Sequence, residues 1–156
     1  MRIHLIAVGT RMPAWIDTGY EAYAVRLPRE CEMRLVEIPS IKRVKNASVT
    51  CIRREEGKRI LAAIPQGAHV IALEVTGRQW DTEQLAERLS VWLGGGRDLA
   101  LLVGGPDGLD SACLAQADSA WSLSRLTLPH PLVRIIVAEQ FYRAWSILQH
   151  HPYHRT

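Results

Sequence analysis

Apolar positions recur along this chain in two rhythms. Arg2–Val8, Glu32–Ile38, His69–Glu74, Asp98–Val103 and Ala120–Leu123 are short apolar runs bounded by glycine, proline or polar residues, which predicts strands. Leu99 to Val103 has no polar break, the pattern of a parallel strand covered on both faces. Between these runs the rhythm changes to 3.6 residues. Ile16, Tyr20, Tyr23 and Leu27 share a face of a helix predicted from Pro13 to Leu27, and Ile52, Ile60, Ala63 and Ile64 share one from Ser48 to Ile64. Leu85, Leu89 and Trp92 line a helix from Asp81 to Leu93, and Ser111–Ala117 gives a short one. Val75–Arg78 is predicted as a turn and Gly94–Gly96 as a flexible link.

The longest helix pattern runs from Pro131 to Gln149. Val133, Val137, Phe141, Ala144 and Leu148 form one stripe, with Glu139, Arg143 and Ser146 opposite. Leu132, Ile135, Tyr142 and Trp145 lie outside that stripe. A helix so apolar around its circumference buries two faces. One would cover a sheet, and the other is expected to meet a second copy of the chain through Tyr142 or Trp145.

Strands alternating with helices predict an α/β fold, a mainly parallel sheet with helices on both faces. No linker, repeat or low-complexity stretch interrupts residues 1–156, so a single domain is expected. Ligands of such sheets bind at the carboxyl ends of strands. Three ends stand out: Leu73-Glu74, Gly104-Gly105, and Leu123 onward.

Composition narrows the class. Hydrophobic residues make up 47 % and charged residues 22 %, ordinary for a globular protein, and no run of about 18 apolar residues suggests a membrane span. The start, MRIHLIAVGT, reads as a strand rather than a signal peptide. Cys31, Cys51 and Cys113 are widely spaced and lack metal-type spacing, as for free thiols in a reducing cytoplasm. The net charge of +3 favours an anionic partner. Lys42, Arg43, Lys45, Arg53, Arg54, Lys58 and Arg59 are seven of the 19 Lys and Arg residues, against only Glu55 and Glu56, and this density points to an RNA-phosphate surface. No aromatic residue interleaves them, so the stretch would position the RNA backbone rather than stack bases.

Three stretches carry candidate chemistry. Gly104-Gly105-Pro106-Asp107-Gly108 follows the apolar strand; its spacing is not GxGxxG, and read alone it fits a plain strand-to-helix turn as well as a ligand cradle. In Ser122–Pro131, prolines flank His130, and Leu123, Leu126 and Leu128 alternate with Ser124 and Thr127, an apolar slot suited to a flat ligand such as an adenine nucleoside. The tail, His150-His151-Pro152-Tyr153-His154-Arg155-Thr156, has no carboxylate or cysteine to complete a zinc site. Its Tyr, His and Arg can stack on a base, move a proton and hold a phosphate.

These motifs resemble a known family. GGPDGL, SLSRLTLPHPLVR, AEQFYRAWSI and HPYHR, with the opening IHLIAVGTRMPAWIDTGYEAY, are similar to the ribosomal RNA large subunit methyltransferase H family of the SPOUT class, over the whole chain. The resemblance implies methylation of N(3) of a pseudouridine in 23S rRNA with S-adenosylmethionine, a homodimer in the cytoplasm, and a trefoil knot near the C-terminus. Cofactor contacts are implied at Leu73, Gly104, Gly105, Leu123, Ser124, Arg125, Leu126, Thr127 and Leu128. Within this reading Tyr153 would hold the base, His154 handle the proton and Arg155 neutralise charge, with Arg143 lining the same pocket. Asp107 departs from the glutamate common in the family. Two rivals remain: another RNA or tRNA methyltransferase of the class, and a non-catalytic ribosome-assembly protein, which would need the basic stretch but neither the glycine turn nor the SLS loop.

Overall fold

The computed structural model describes residues 1–155. Its strands are β1 (Arg2–Val8), β2 (Glu32–Ile38), β3 (His69–Gln79), β4 (Leu99–Val103) and β5 (Ser119–Ser122). Its α-helices are α1 (Ala14–Ala24), α2 (Val49–Ala63), α3 (Thr82–Gly95), α4 (Ser111–Gln116) and α5 (His130–Leu148), with 3-10 turns at Arg29–Cys31 and Pro152–Arg155. The strands form one five-stranded sheet in the order β2-β1-β4-β3-β5, and every pairing is parallel.

The alternation along each strand explains the two helical layers. Ile3, Leu5 and Ala7 of β1 and Leu99, Leu101 and Val103 of β4 face a core shared with α1, α3 and α5. Ile6 and Val8, with Ala100 and Leu102, face the opposite core under α2 and α4. Both faces of the central strands are therefore dry, as their unbroken apolar sequence requires. Asp81 and Gln84 form a reciprocal capping box at the start of α3, and Gly96 ends it with φ +68°.

Some boundaries differ from expectation. The helix predicted over Pro13–Leu27 ends at Ala24, although Leu27 stays buried. The predicted turn Val75–Arg78 is strand. Leu73 and Arg78 both register against Trp121, so the residues between them bulge out of the ladder before pairing resumes. Gly77 permits this: a Cβ there would stand 2.8 Å from backbone atoms of Ala120 and Trp121.

α1 and α3 pack against the face of α5 that meets the sheet, while Leu132, Ile135 and Ile136 outside that face stay half-exposed. Ser146, expected on a polar side, is buried and donates to the Arg143 carbonyl at 2.7 Å. Tyr142 is buried under its own tail and stacks on Trp145 at 5.9 Å between ring centroids.

Candidate active site

A cavity of about 460 Å³ opens where β3, β4 and β5 end and α5 begins. That size suits a cofactor-sized ligand, within the usual range of about 300–1,000 Å³. The β3 bulge supplies Leu73, Glu74 and Val75; the glycine turn supplies Gly104, Gly105, Pro106 and Gly108; and the end of β5 with the loop after it supplies Ser122–Ser124 and Leu126–Pro129. The three strand ends marked in the sequence thus converge. Arg125 does not: its side chain is exposed and is not part of the lining.

Local hydrogen bonds fix the β5 loop. Ser122 Oγ donates to the Ser124 carbonyl at 3.0 Å, and the Leu126 amide donates to Ser124 Oγ at 3.0 Å. Both serines thereby shape the loop. Leu123 and Leu128 pack into the core, whereas Leu126 stands 73 % exposed at the cavity lip. The buried indole nitrogen of Trp121, also in the wall, has no partner among the described residues. Apolar walls, an uncovered leucine and an unused donor fit a flat, partly apolar ligand with polar edges.

The two turn glycines differ in role. A Cβ on Gly104 would stand 2.5 Å from the carbonyl carbon of Gly108, so the turn cannot close around any other residue. Gly105 pairs with Gly108 in an isolated bridge, and its own Cβ would point at Val8 and Glu56, 3.1 and 3.3 Å away. Gly108 has φ +81°. Behind this turn lies Glu56, buried on α2, whose Oε1 accepts from the Ile41 amide at 3.1 Å. Asp107 pairs with Arg43, so the polar loop before α2 is tied to the glycine turn through Arg43 and to α2 through Ile41.

The tail residues form a second cluster on the far half of α5. Tyr153 donates from its hydroxyl to Glu139 Oε1 at 3.1 Å and packs on Tyr142, with ring centroids 4.7 Å apart. Arg143 pairs with the same carboxylate at 2.6 Å and lies over the Tyr153 ring, 4.9 Å from its centroid. The Glu139–Arg143 spacing of four residues is the pair the sequence pointed to. Burial, then the Glu139 carboxylate, pushes the Tyr153 phenol up to about 12, so it remains a donor throughout the neutral range. None of Arg143, Tyr153, His154 and Arg155 lines the cavity of its own chain. Arg143 sits about 20 Å along the helix from His130 at 1.5 Å rise per residue. The expectation that these four share one pocket with the cofactor residues is therefore not met within a single chain. Thr156 lies outside the described residues.

On α2 and the loop before it, Lys42, Arg43, Lys45, Arg54, Lys58 and Arg59 are exposed, and Arg53 is half-buried. Lys58 pairs with Glu55 at 2.6 Å, and Arg59 donates to the Pro39 carbonyl at 2.9 Å. Lys42, Lys45 and Arg54 have no ion pair among the described residues.

Sequence reasoning missed two buried charges. Arg134 is completely buried, donating to Glu37 Oε2 at 2.8 Å and to the Gly9 carbonyl at 2.6 Å. A signal existed for both: Arg134 stands three, four and seven residues before Val137, Ala138 and Phe141, and Glu56 lies midway between Ile52 and Ile60. Charged residues on an apolar stripe announce buried, partnered charges.

A family model described as "Predicted SPOUT methyltransferase" matches residues 1–154. The chain is 61 % identical over 155 residues to "Ribosomal RNA large subunit methyltransferase H" of Thioalkalivibrio sulfidiphilus, covering 99 % of each chain. It is 57 % identical to the protein of the same name from Hydrogenovibrio crunogenus, again over 99 % of each. A crystal structure of a probable rRNA-methyltransferase from Porphyromonas gingivalis shares the fold, with a TM-score of 0.54 and 15 % identity over 94 % of this chain and 69 % of that one. Among the described residues no helix is long and apolar enough to cross a membrane, and no metal-binding cluster of His, Cys, Asp and Glu occurs.

Proposed function

The chain belongs to the SPOUT methyltransferase family, and on that premise we propose that it methylates N(3) of a pseudouridine in 23S rRNA. Membership also implies the trefoil knot through the segment that builds the cavity. S-adenosylmethionine supplies an activated methyl group on a sulfonium, and the residues present fit it: apolar walls for the adenosine, main-chain groups at the glycine turn, and the Trp121 indole N–H. The observation that carries the reading is the full-length identity to relatives named for this activity, joined to the convergence of the three strand ends on one cavity.

The protein's work is positioning. Gly104, Gly105, Leu73, Leu123, Ser124 and Leu126–Leu128 would hold the cofactor, Leu126 closing over it from the lip. The exposed cations of α2 and its preceding loop would track the rRNA backbone. Tyr153 would stack on the target base, and Arg143, His154 and Arg155 would hold the surrounding charge. Because the tail and cavity occupy opposite halves of α5, a homodimer is required in which one protomer's tail serves its partner's cavity. The half-exposed Leu132, Ile135 and Ile136 offer apolar surface for that pairing. Such an enzyme would work as a single domain in the cytoplasm.

Mass spectrometry of 23S rRNA from cells with and without the protein tests the function. One methyl group on one pseudouridine should disappear with the protein and return on its reintroduction. A different methylated RNA would point to another activity of the class, and failure to bind S-adenosylmethionine in calorimetry would favour a non-catalytic assembly protein.

Two further results are expected. Gly104→Ala should weaken S-adenosylmethionine binding by about tenfold or more, roughly 1.4 kcal/mol, because the turn must open. Gly105→Ala should cost less, since Val8 and Glu56 need shift only by tenths of an ångström. Equal affinities by calorimetry would argue against this geometry. Changing Arg53, Arg54, Lys58 and Arg59 together to Ala should lower RNA affinity and flatten the log–log salt slope by about 2–3, at roughly 0.7 for each phosphate no longer neutralised. An unchanged slope would make the stretch a solvated face.

A further inference from the structure

Methylating a ring N–H requires that its proton leave, and the chemistry proposed above needs a base at the cavity. Two residues in the cavity wall have side chains that titrate as acids or bases, Glu74 and His130. Glu74 Oε1 already accepts from the Val75 amide at 3.0 Å. His130 opens α5 between Pro129 and Pro131, where the prolines restrict the backbone and present the ring at the helix N-terminus. It packs beside the end of β1: a Cβ built on Gly9 would stand 3.6 Å from His130 Nε2 and 3.6 Å from Arg134 Nη2.

The charges around this ring are set by several elements. Arg134 lies one turn further along α5, and Glu37 of β2 neutralises part of its charge. The loop after β1 carries Arg11, the β3 bulge carries Glu74, and the exposed Arg125 lies in the loop after β5. In the glycine turn Asp107 is occupied by Arg43, with Glu56 behind it. Burial, then the Arg134 guanidinium, holds the imidazole below its ordinary range. The ring is therefore neutral at neutral pH and keeps one nitrogen lone pair.

We infer that His130 is the residue that accepts the ring-nitrogen proton of the substrate base. This rests on the methyltransferase reading given above. The N(3)–H bond breaks with its proton passing to His130, and the nitrogen's electron pair forms the new N–CH₃ bond. The carbon–sulfur bond of the sulfonium breaks with its electron pair left on sulfur, giving a neutral thioether. The imidazolium then returns its proton to solvent, with the Glu74 carboxylate in the same cavity offsetting its charge meanwhile. His154, which the proposed dimer would carry to the partner's cavity on the tail, is left to hold substrate.

The test is the pH dependence of kcat at saturating S-adenosylmethionine and large-subunit rRNA, with cofactor binding measured separately by calorimetry. The wild-type kcat should rise with pH and level off at a midpoint below the ordinary imidazole range. His130→Asn should lower kcat by about 100-fold or more and lose that limb, with cofactor affinity unchanged. His154→Ala and Glu74→Gln should keep the limb. His130→Ala should regain rate with added free imidazole, which a purely structural defect would not. Retention of the limb in His130→Asn, its loss in His154→Ala or Glu74→Gln, or a defect confined to cofactor affinity would overturn the proposal. If His130→Asn does not fold, absence of imidazole rescue in His130→Ala overturns it. A wild-type protein that transfers no methyl group to rRNA would remove the functional reading and this inference together, whereas an active wild type with an unaltered His130→Asn profile removes the inference alone.

Discussion

Ending the chain at Pro152 is expected to abolish methyl transfer to rRNA while leaving S-adenosylmethionine binding intact. The cavity is built by β3, β4, β5 and the first turn of α5, and no described tail residue lines it. The tail instead covers Tyr142 and satisfies Glu139. Its loss should cost about 1–3 kcal/mol, the range for exposing one large ring and deleting one charged hydrogen bond. The protein remains folded, and kcat should fall by about 10²–10⁴-fold as base-holding and charge-holding groups leave together. Complementation tests the two-chain arrangement. Mixing the truncated chain with full-length Gly104→Ala, at S-adenosylmethionine too dilute to fill the altered cavity, should restore activity, because exchanged dimers contain one sound cavity served by one intact tail. A truncated protein of normal rate would leave the tail without a catalytic part, and a chain that sediments as a monomer at micromolar concentration would remove the shared site.

The sheet was legible because its central strands are dry on both faces. A run such as Leu99–Val103 has few other ways to bury itself, and the helices between strands carry clear 3.6-residue stripes. The cavity followed from the same logic, since strand ends in a parallel sheet converge on one edge. What sequence could not give depends on long-range packing. Val75–Arg78 reads as a turn because of Gly77, yet that glycine is what lets β3 lie against β5. The all-round apolar α5 suggested a partner chain through Tyr142 or Trp145; α1 and α3 cover one face of it and Tyr153 seals Tyr142, while Leu132, Ile135 and Ile136 stay half-exposed. Proximity in sequence does not say which residues line the cavity of their own chain. The tail follows directly on α5, but the helix carries it away from the cavity that the same helix opens. Arg125 sits amid lining residues, yet its side chain turns outward. Nothing in a one-dimensional pattern records on which side of a knitted loop each residue emerges.

The largest stability effect is expected at Glu37, not at the buried arginine it pairs with. Arg134 is fully buried and holds two acceptors, Glu37 Oε2 and the Gly9 carbonyl, joining α5 to the ends of β2 and β1. Glu37 keeps 37 % of its side chain exposed. The two ends of the pair therefore respond differently to losing their partner. Glu37→Ala leaves a permanent positive charge in the interior with one carbonyl for compensation, which should cost about 3–5 kcal/mol. Arg134→Met removes the charge, keeps much of the volume, and lets Glu37 rehydrate. Its main cost is the unsatisfied Gly9 carbonyl, about 1–3 kcal/mol. At roughly 2–4 °C per kcal/mol for a chain of this size, Glu37→Ala should lower Tm by about 6–20 °C. The double variant should resemble Arg134→Met alone rather than the sum, since no buried charge then remains. A thermal-melting series in which Glu37→Ala is the milder single change would show that Arg134 reaches solvent or another acceptor. The same variants bear on His130, which lies beside this guanidinium. With Glu37 absent the arginine's charge is less offset, so the imidazole should hold a second proton still less readily and the rising limb of kcat should move to lower pH. Arg134→Met should move it the other way.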